Sequence, residues 1–216
     1  MNKTYKLFIF DFDGTLADTK ECVVAAMQKS LEQNKFPPVN WEQIVHLMGI
    51  PVKKMLKTIV PHQADEMYEK LVTDYRSFYK AFLPDKTFMF PEVAETLARL
   101  KEKNILCAIA TSKKTDVALM TCKYIGIDAY IDICIGEDLV TRKKPDPESL
   151  TVILQKFAIA VKDAVMIGDT TFDMQMGKAI GMDTIAVTWG SHSPKELLSV
   201  HPTYTVEKFP ALLAFA

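Results

Sequence analysis

The chain has 216 residues, 49% of them hydrophobic, and 26 lysines and arginines against 27 aspartates and glutamates, a net charge of -1. A core of useful size is within reach, as one large domain or two modest ones, while the balanced charge leaves no electrostatic footprint for nucleic acid or an anionic membrane surface. The opening Met1 to Lys6 carries no signal-peptide pattern, and no apolar stretch approaches the ~20 residues of a membrane span, so a soluble cytoplasmic protein is expected, a monomer or weak homodimer.

The first element is the apolar run Leu7 to Phe10, which stops on Asp11-Phe12-Asp13-Gly14-Thr15-Leu16. Apolar residues without polar alternation suit a central parallel strand buried on both faces, and such strands carry ligand-binding groups just beyond their carboxyl ends. The period of two sets Asp11 and Asp13 out toward one side and turns Phe12 into the core. Gly14 permits a sharp turn.

From Thr19 to Asn34 the spacing of Val23, Val24, Met27 and Leu31 predicts a helix that Asp18 or Thr19 can cap, and Pro37-Pro38 breaks it. Trp41 to Met48 predicts a second helix, ended by Gly49-Ile50-Pro51. Val52 to Ile59 predicts a third, closed by Pro61, and Met67 to Phe82 a fourth that keeps its spacing until Pro84. Residues 18–84 thus form a helical block. Lys53, Lys54 and Lys57 within it read as a solvated helix face before they read as a substrate clamp.

Beyond Pro84 helices and strands alternate. Pro91 opens a helix through Val93, Leu97 and Leu100, followed by a strand at 105–110, a helix at 117–125, a strand at 131–135, a helix from Asp146-Pro147 to Phe157, and strands at 164–167 and 184–187. Ser193-Pro194-Lys195-Glu196 is a capping box. Such alternation implies an α/β fold, a parallel sheet between two helical layers, with residues 18–84 inserted after the first strand of a core made of 1–17 and 85–216. Cys22, Cys107, Cys122 and Cys134 lie far apart in apolar segments and read as reduced core residues. His46, His62, His192 and His201 show no metal-ligand spacing.

The strands run out into Asp11 and Asp13, into Thr111-Ser112, toward Arg142-Lys143-Lys144-Pro145, and into Gly168-Asp169 with Asp173. Carboxylates, hydroxyls and a lysine along one sheet edge suit a hard cation, Mg²⁺ held by oxygen ligands, together with a phosphoryl group. The bland readings compete: Thr111 as a turn residue, Asp173 in the first turn of the next helix, and Lys143 or Arg142 in place of Lys144, which the following proline favours.

These residues resemble the haloacid dehalogenase superfamily in its phosphatase branch, with a Rossmann-like core and a helical cap. Asp11-Phe12-Asp13-Gly14-Thr15-Leu16 resembles the first motif, Thr111 the second, Lys144 the third, and Gly168-Asp169 with Asp173 the fourth. The most similar subgroup is that of phosphoglycolate phosphatase and small pyrophosphatases, which share the look of Thr111-Ser112-Lys113 and a cap loop like Met48-Gly49-Ile50-Pro51. One departure is Glu92, where many relatives have glycine.

The resemblance implies Asp11 as nucleophile, Asp13 as general acid and base, and Thr111 and Lys144 as the remaining catalytic residues. Phe12, Gly14 and Thr15 through the backbone amides after Asp11, together with Thr111, Ser112, Lys144 and Gly49, are the expected substrate contacts. Asp11, Asp13 through its carbonyl, Asp169 and Asp173 are the expected Mg²⁺ ligands. The expected activity is hydrolysis of a small phosphorylated metabolite through an aspartyl-phosphate. A phosphomutase of the β-phosphoglucomutase type and a pyrophosphatase are the alternatives, ahead of a phospho-accepting signalling domain or a non-catalytic binding protein.

Overall fold

The computed structural model describes residues 3–216, so Met1 and Asn2 of the opening stretch lie outside the described residues. Six parallel strands form one sheet in the order β5-β4-β1-β6-β7-β8. They are β1 (Leu7–Phe10), β4 (Leu106–Ala110), β5 (Ile133–Ile135), β6 (Ala164–Gly168), β7 (Asp183–Val187) and β8 (Tyr204–Val206). The next strands in sequence continue outward from β1 in opposite directions, so its carboxyl end lies at the topological switch point where open α/β sheets bind ligands.

The reason β1 takes the centre is visible in its side chains. Phe8 and Phe10 join the apolar cluster on one face with Ile109, Val165 and Ile167, and Leu7 and Ile9 join the cluster on the other with Ala108 and Met166. Every residue of the strand is buried, each large side chain contributing about 1.5–3 kcal/mol of transfer free energy. The flanking helices are α5 (Val93–Glu102), α6 (Thr115–Tyr124), α7 (Glu148–Phe157), α8 (Thr171–Lys178) and α9 (Pro194–Ser199). All four cysteines are buried and free.

Between β1 and β4 the chain forms α1 (Lys20–Gln33), α2 (Trp41–His46), α3 (Val52–Ile59) and α4 (Asp65–Lys86). These helices enclose an apolar cluster of their own that includes Met27, Leu31, Ile44, Leu56 and Leu71. Pro84 does not end the last helix, which runs through it to Lys86. A two-stranded antiparallel ribbon of β2 (Ala17–Asp18) and β3 (Phe88–Met89), too short to show in the sequence pattern, pairs the outgoing chain with the returning one. Among the described residues no helix is long and apolar enough to cross a membrane.

Two helix starts differ from expectation. Thr19 flanks α1 without a side-chain capping bond, because its hydroxyl donates to Asp13, and Asp18 accepts from the Lys20 N–H instead, at 3.2 Å. Pro91 lies ahead of α5, whose cap is Glu92 in the left-handed region at φ 62°. That conformation costs an L-residue about 1–2 kcal/mol, while glycine adopts it freely at some entropic cost. Glu92→Gly is therefore expected to stabilise the fold by about 0.5–1 kcal/mol. Urea unfolding midpoints check this, and a loss of stability would show that the exposed Glu92 side chain makes a contact worth more than the strain.

Candidate active site

Asp11 continues β1, its N–H donating to the Ile167 carbonyl at 2.8 Å. Its carboxylate is buried beside Lys144, with Oδ1 2.9 Å from the Nζ. The same ammonium lies 2.8 Å from Asp173 Oδ1. Asp173 occupies the first turn of α8, and its other oxygen accepts from the Thr170 N–H at 3.1 Å and hydroxyl at 2.7 Å, so it is a helix-start residue and a partner of Lys144 at once. Lys143 pairs with Glu137 and Arg142 with Glu148, which leaves Lys144 as the lysine of that run that reaches the sheet edge.

Asp169 ends β6. Its Oδ1 accepts from the Thr15 hydroxyl at 2.9 Å and its Oδ2 from the Ser191 N–H at 2.7 Å. Gly14 passes so close, at φ +82°, that a Cβ there would lie 2.1 Å from Asp169 Oδ2. The turn after Asp11 is thus pressed onto the second acid. Asp11, Asp169 and Asp173 bring ligand oxygens within 4.8 Å of one another, all buried. Lys144 lies between two of them, Asp11 and Asp173, and the third carboxylate adds to the negative charge.

The electrostatics follow from that imbalance. Burial pushes the Asp11 carboxyl well above its usual range; Lys144 works against the rise, and Asp173 and Asp169 add to it. Asp169 is pushed up to about 6 by burial first and the Asp173 charge second. Burial lowers the Lys144 ammonium, but the Asp11 and Asp173 charges outweigh it and raise that group. An all-oxygen donor set with this excess of negative charge fits a hard divalent cation such as Mg²⁺.

Asp13 stands apart from the three acids. Its carboxylate is turned to Lys113 Nζ and the Thr19 hydroxyl. Asp11, Asp13 and Thr111 line the core wall of a cavity of about 60 Å³ whose opposite wall comes from the helical insertion, including Val23, Ile50 and Met55. That is room for a few waters or a compact organic group. Thr111 accepts from the Lys113 N–H at 3.2 Å, which leaves its own proton to donate.

Several of the expected substrate contacts are also engaged within the protein. Ser112 lines the cavity, and its hydroxyl donates to the Gly49 carbonyl at 2.7 Å, tying the core to the insertion. The Gly14 N–H donates to the Ala17 carbonyl at 2.8 Å and the Thr15 N–H to the Phe12 carbonyl at 3.4 Å, so the turn uses these donors itself. Phe12 packs its ring into the sheet cluster, leaving only its backbone to face a guest. Gly49 does line the cavity, and at φ +97° it abuts Thr170 and Phe172, which a Cβ would approach to 3.0 and 3.2 Å. Lys53 and Lys57 pair with Asp65 and Glu69 on an exposed helix face, away from the cavity.

The sequence reading assigned no role to Lys113, His192 or Ser191. Lys113 was legible in principle, three residues beyond a strand end on the catalytic edge. His192 accepts at Nδ1 from the Thr171 N–H at 3.1 Å and reaches the His46 carbonyl of the insertion with Nε2 at 3.3 Å. Ser191 acts through its backbone, which no residue type announces. Arg76 of α4 adds a further bridge to Glu137, at 2.8 Å.

A stability consequence follows from Asp169. Folded, it keeps its proton to about pH 6, against an ordinary 3.8. The native state therefore binds more protons across that interval, and the contribution of this group to stability falls as pH rises from about 4 to 6 and stays lost above. Without divalent cation, Asp169→Asn is expected to gain about 1–3 kcal/mol at pH 7 and little at pH 4. Thermal melts in chelator at both pH values check this, and a pH-independent difference would contradict the charge argument.

Comparison with known proteins agrees with this geometry. The family model described as haloacid dehalogenase-like hydrolase matches residues 8–187. The protein named "Probable phosphatase IndB" of Dickeya dadantii is 33% identical over 213 residues, 97% of this chain and 93% of that protein. "Pyrophosphatase PpaX" of Bacillus velezensis is 30% identical over 212 residues, 98% and 96% of the two chains. A solved structure of a haloacid dehalogenase-like family hydrolase from Streptococcus pneumoniae superposes with a TM-score of 0.85 at 27% identity, covering 98% of each chain. With the match running from the first sheet strand to the fifth, and with relatives alike from end to end, the chain belongs to the haloacid dehalogenase-like hydrolase family.

Proposed function

We propose that the protein is a Mg²⁺-dependent phosphatase of small phosphorylated metabolites that works through an aspartyl-phosphate on Asp11. The observation that carries this reading is the state of the Asp11 carboxylate. One oxygen is held by Lys144, and the other is buried with no hydrogen-bond partner among the described residues, beside the cavity that Asp13 and Thr111 also line. An unsatisfied buried carboxylate oxygen is costly. At this position it is the lone pair offered to phosphorus.

In the first half-reaction the free oxygen of Asp11 forms a bond to phosphorus, the bond to the leaving oxygen breaks, and that oxygen takes a proton from Asp13. In the second, water attacks phosphorus, Asp13 takes the water proton, and the bond to Asp11 breaks to regenerate its carboxylate. Thr111 donates to a phosphoryl oxygen, and Lys144 offsets the charge that gathers around Asp11. Asp11, Asp169 and the Asp13 carbonyl would hold the Mg²⁺, with Asp173, both of whose oxygens are already engaged, in support. Bound there, the ion reduces the repulsion between the acidic cluster and a phosphate dianion.

The small cavity under the insertion favours compact leaving groups and excludes phosphoproteins and nucleic acids, since a lid over the site selects by what fits beneath it. Inorganic pyrophosphate is a second reading, supported by the name of the Bacillus velezensis relative.

A panel of small phosphate monoesters and pyrophosphate, assayed with Mg²⁺ for phosphate release and isomer formation, tests the activity. Release without isomerisation is expected; isomerisation would indicate a mutase, and inertness across the panel a binding protein. Asp11→Asn is expected to abolish turnover with the melting temperature kept, because an amide cannot become the acyl phosphate, and near-wild-type turnover would end the covalent mechanism. Asp169→Ala is expected to weaken Mg²⁺ binding, read as loss of the rise in melting temperature that Mg²⁺ gives the parent protein. An unchanged rise would remove Asp169 from the metal site.

A further inference from the structure

We propose that Lys113 is a positioning residue that aims the Asp13 carboxylate at the leaving group, an inference that rests on the acid role just given to Asp13. Both oxygens of Asp13 bond to the Lys113 ammonium, and Oδ1 also accepts from the Thr19 hydroxyl. The side chains of this pair are only 10% and 15% exposed. Lys113 is itself confined: its ammonium lies 4.5 Å from the ring centroid of Tyr79 in the insertion and 5.9 Å from that of Phe12 in the core. Cation-π attraction of this kind fixes where the charge sits.

The arrangement solves a problem that the sequence position of Asp13 creates. Asp13 stands at the mouth of a turn, past the end of β1, where its backbone forms an isolated bridge with Ala17 of the same turn and the six-stranded sheet does not hold its rotamer. An acid must reach the leaving oxygen within about 2.6–3.2 Å, and a misplacement of about 1 Å can cost ~10²-fold in rate. Lys113 comes from the loop after β4 and Thr19 from the start of the insertion, so the carboxylate is gripped from both sides of the cavity it serves. Arg76 and Glu137, which also line that cavity, pair with each other, and Glu137 pairs with Lys143 as well, so neither engages Asp13.

The test uses the full chain with Mg²⁺ and two substrates, an alkyl phosphate with a poor leaving group and 4-nitrophenyl phosphate with an activated one. It compares kcat/KM, which reports formation of the aspartyl-phosphate. Lys113→Met keeps the stem over Tyr79 and removes the charge; it is expected to lower kcat/KM about tenfold or more for the alkyl ester and about threefold or less for the aryl ester. Lys113→Arg is expected to recover part of the alkyl activity. Combined with Asp13→Asn, the methionine variant is expected to add no further loss, since both changes disable one group. Equal losses on both substrates, or losses that add to those of Asp13→Asn, would overturn the proposal. Asp13→Asn alone separates the two levels: if it shows no leaving-group preference the acid role of Asp13 falls and this inference with it, and if it shows one that Lys113→Met lacks, only the role of Lys113 falls. Should the methionine variant fail to fold, Lys113→Gln takes its place with the same outcomes.

Discussion

Lys144 holds Asp11 and Asp173 together because three buried carboxylates at the edge of one sheet repel each other and have a single ammonium among them. Desolvation alone costs several kcal/mol per ion in a protein interior, and good geometry recovers it only in part. The remaining tension is distributed over neutral donors: Thr15 and Ser191 on Asp169, Thr170 on Asp173. Even so, one oxygen of Asp11 is left without a partner among the described residues. A chain selected for stability alone would have replaced these acids with apolar side chains, so their persistence is paid for by what the cluster attracts.

The insertion covers the approach to that cluster. Its helices supply one wall of the cavity, and they meet the core through polar links such as Ser112 to Gly49, His192 to His46, Arg76 to Glu137 and Tyr124 to the Pro84 carbonyl, and through Val117 and Phe172, which join their apolar cluster. Isolated polar links of this kind contribute about 0.5–1.5 kcal/mol each, far less than the apolar cluster that holds the four helices to one another.

Much of this was legible before any coordinates. The run Leu7 to Phe10 could only be a doubly buried strand, and Asp11, Asp13, Thr111, Lys144, Asp169 and Asp173 came from strand ends that a parallel sheet must gather on one edge. What could not be read was direction. Thr15 and Gly14 lie in the same hexamer as Asp11, yet they turn toward Asp169, because the loop folds back on its own carbonyls. Ser112 neighbours Thr111 but points across to Gly49. Pro84, normally a stop signal, is absorbed in the last turn of α4, where few downstream N–H groups depend on it. Backbone donors such as the Ser191 N–H carry no trace in residue type.

The β2–β3 ribbon has a consequence for how such a chain diversifies. Ala17 pairs with Met89 and Asp18 with Phe88, so the outgoing and returning strands stand side by side, antiparallel, about 5 Å apart. The core therefore meets whatever lies between them through a standard two-wire socket. Any segment whose ends fit that spacing, down to a two-residue hairpin turn, satisfies the same connection. Substrate choice can thus be exchanged by swapping the plug, while the electrostatics that break the phosphate bond stay in the wall.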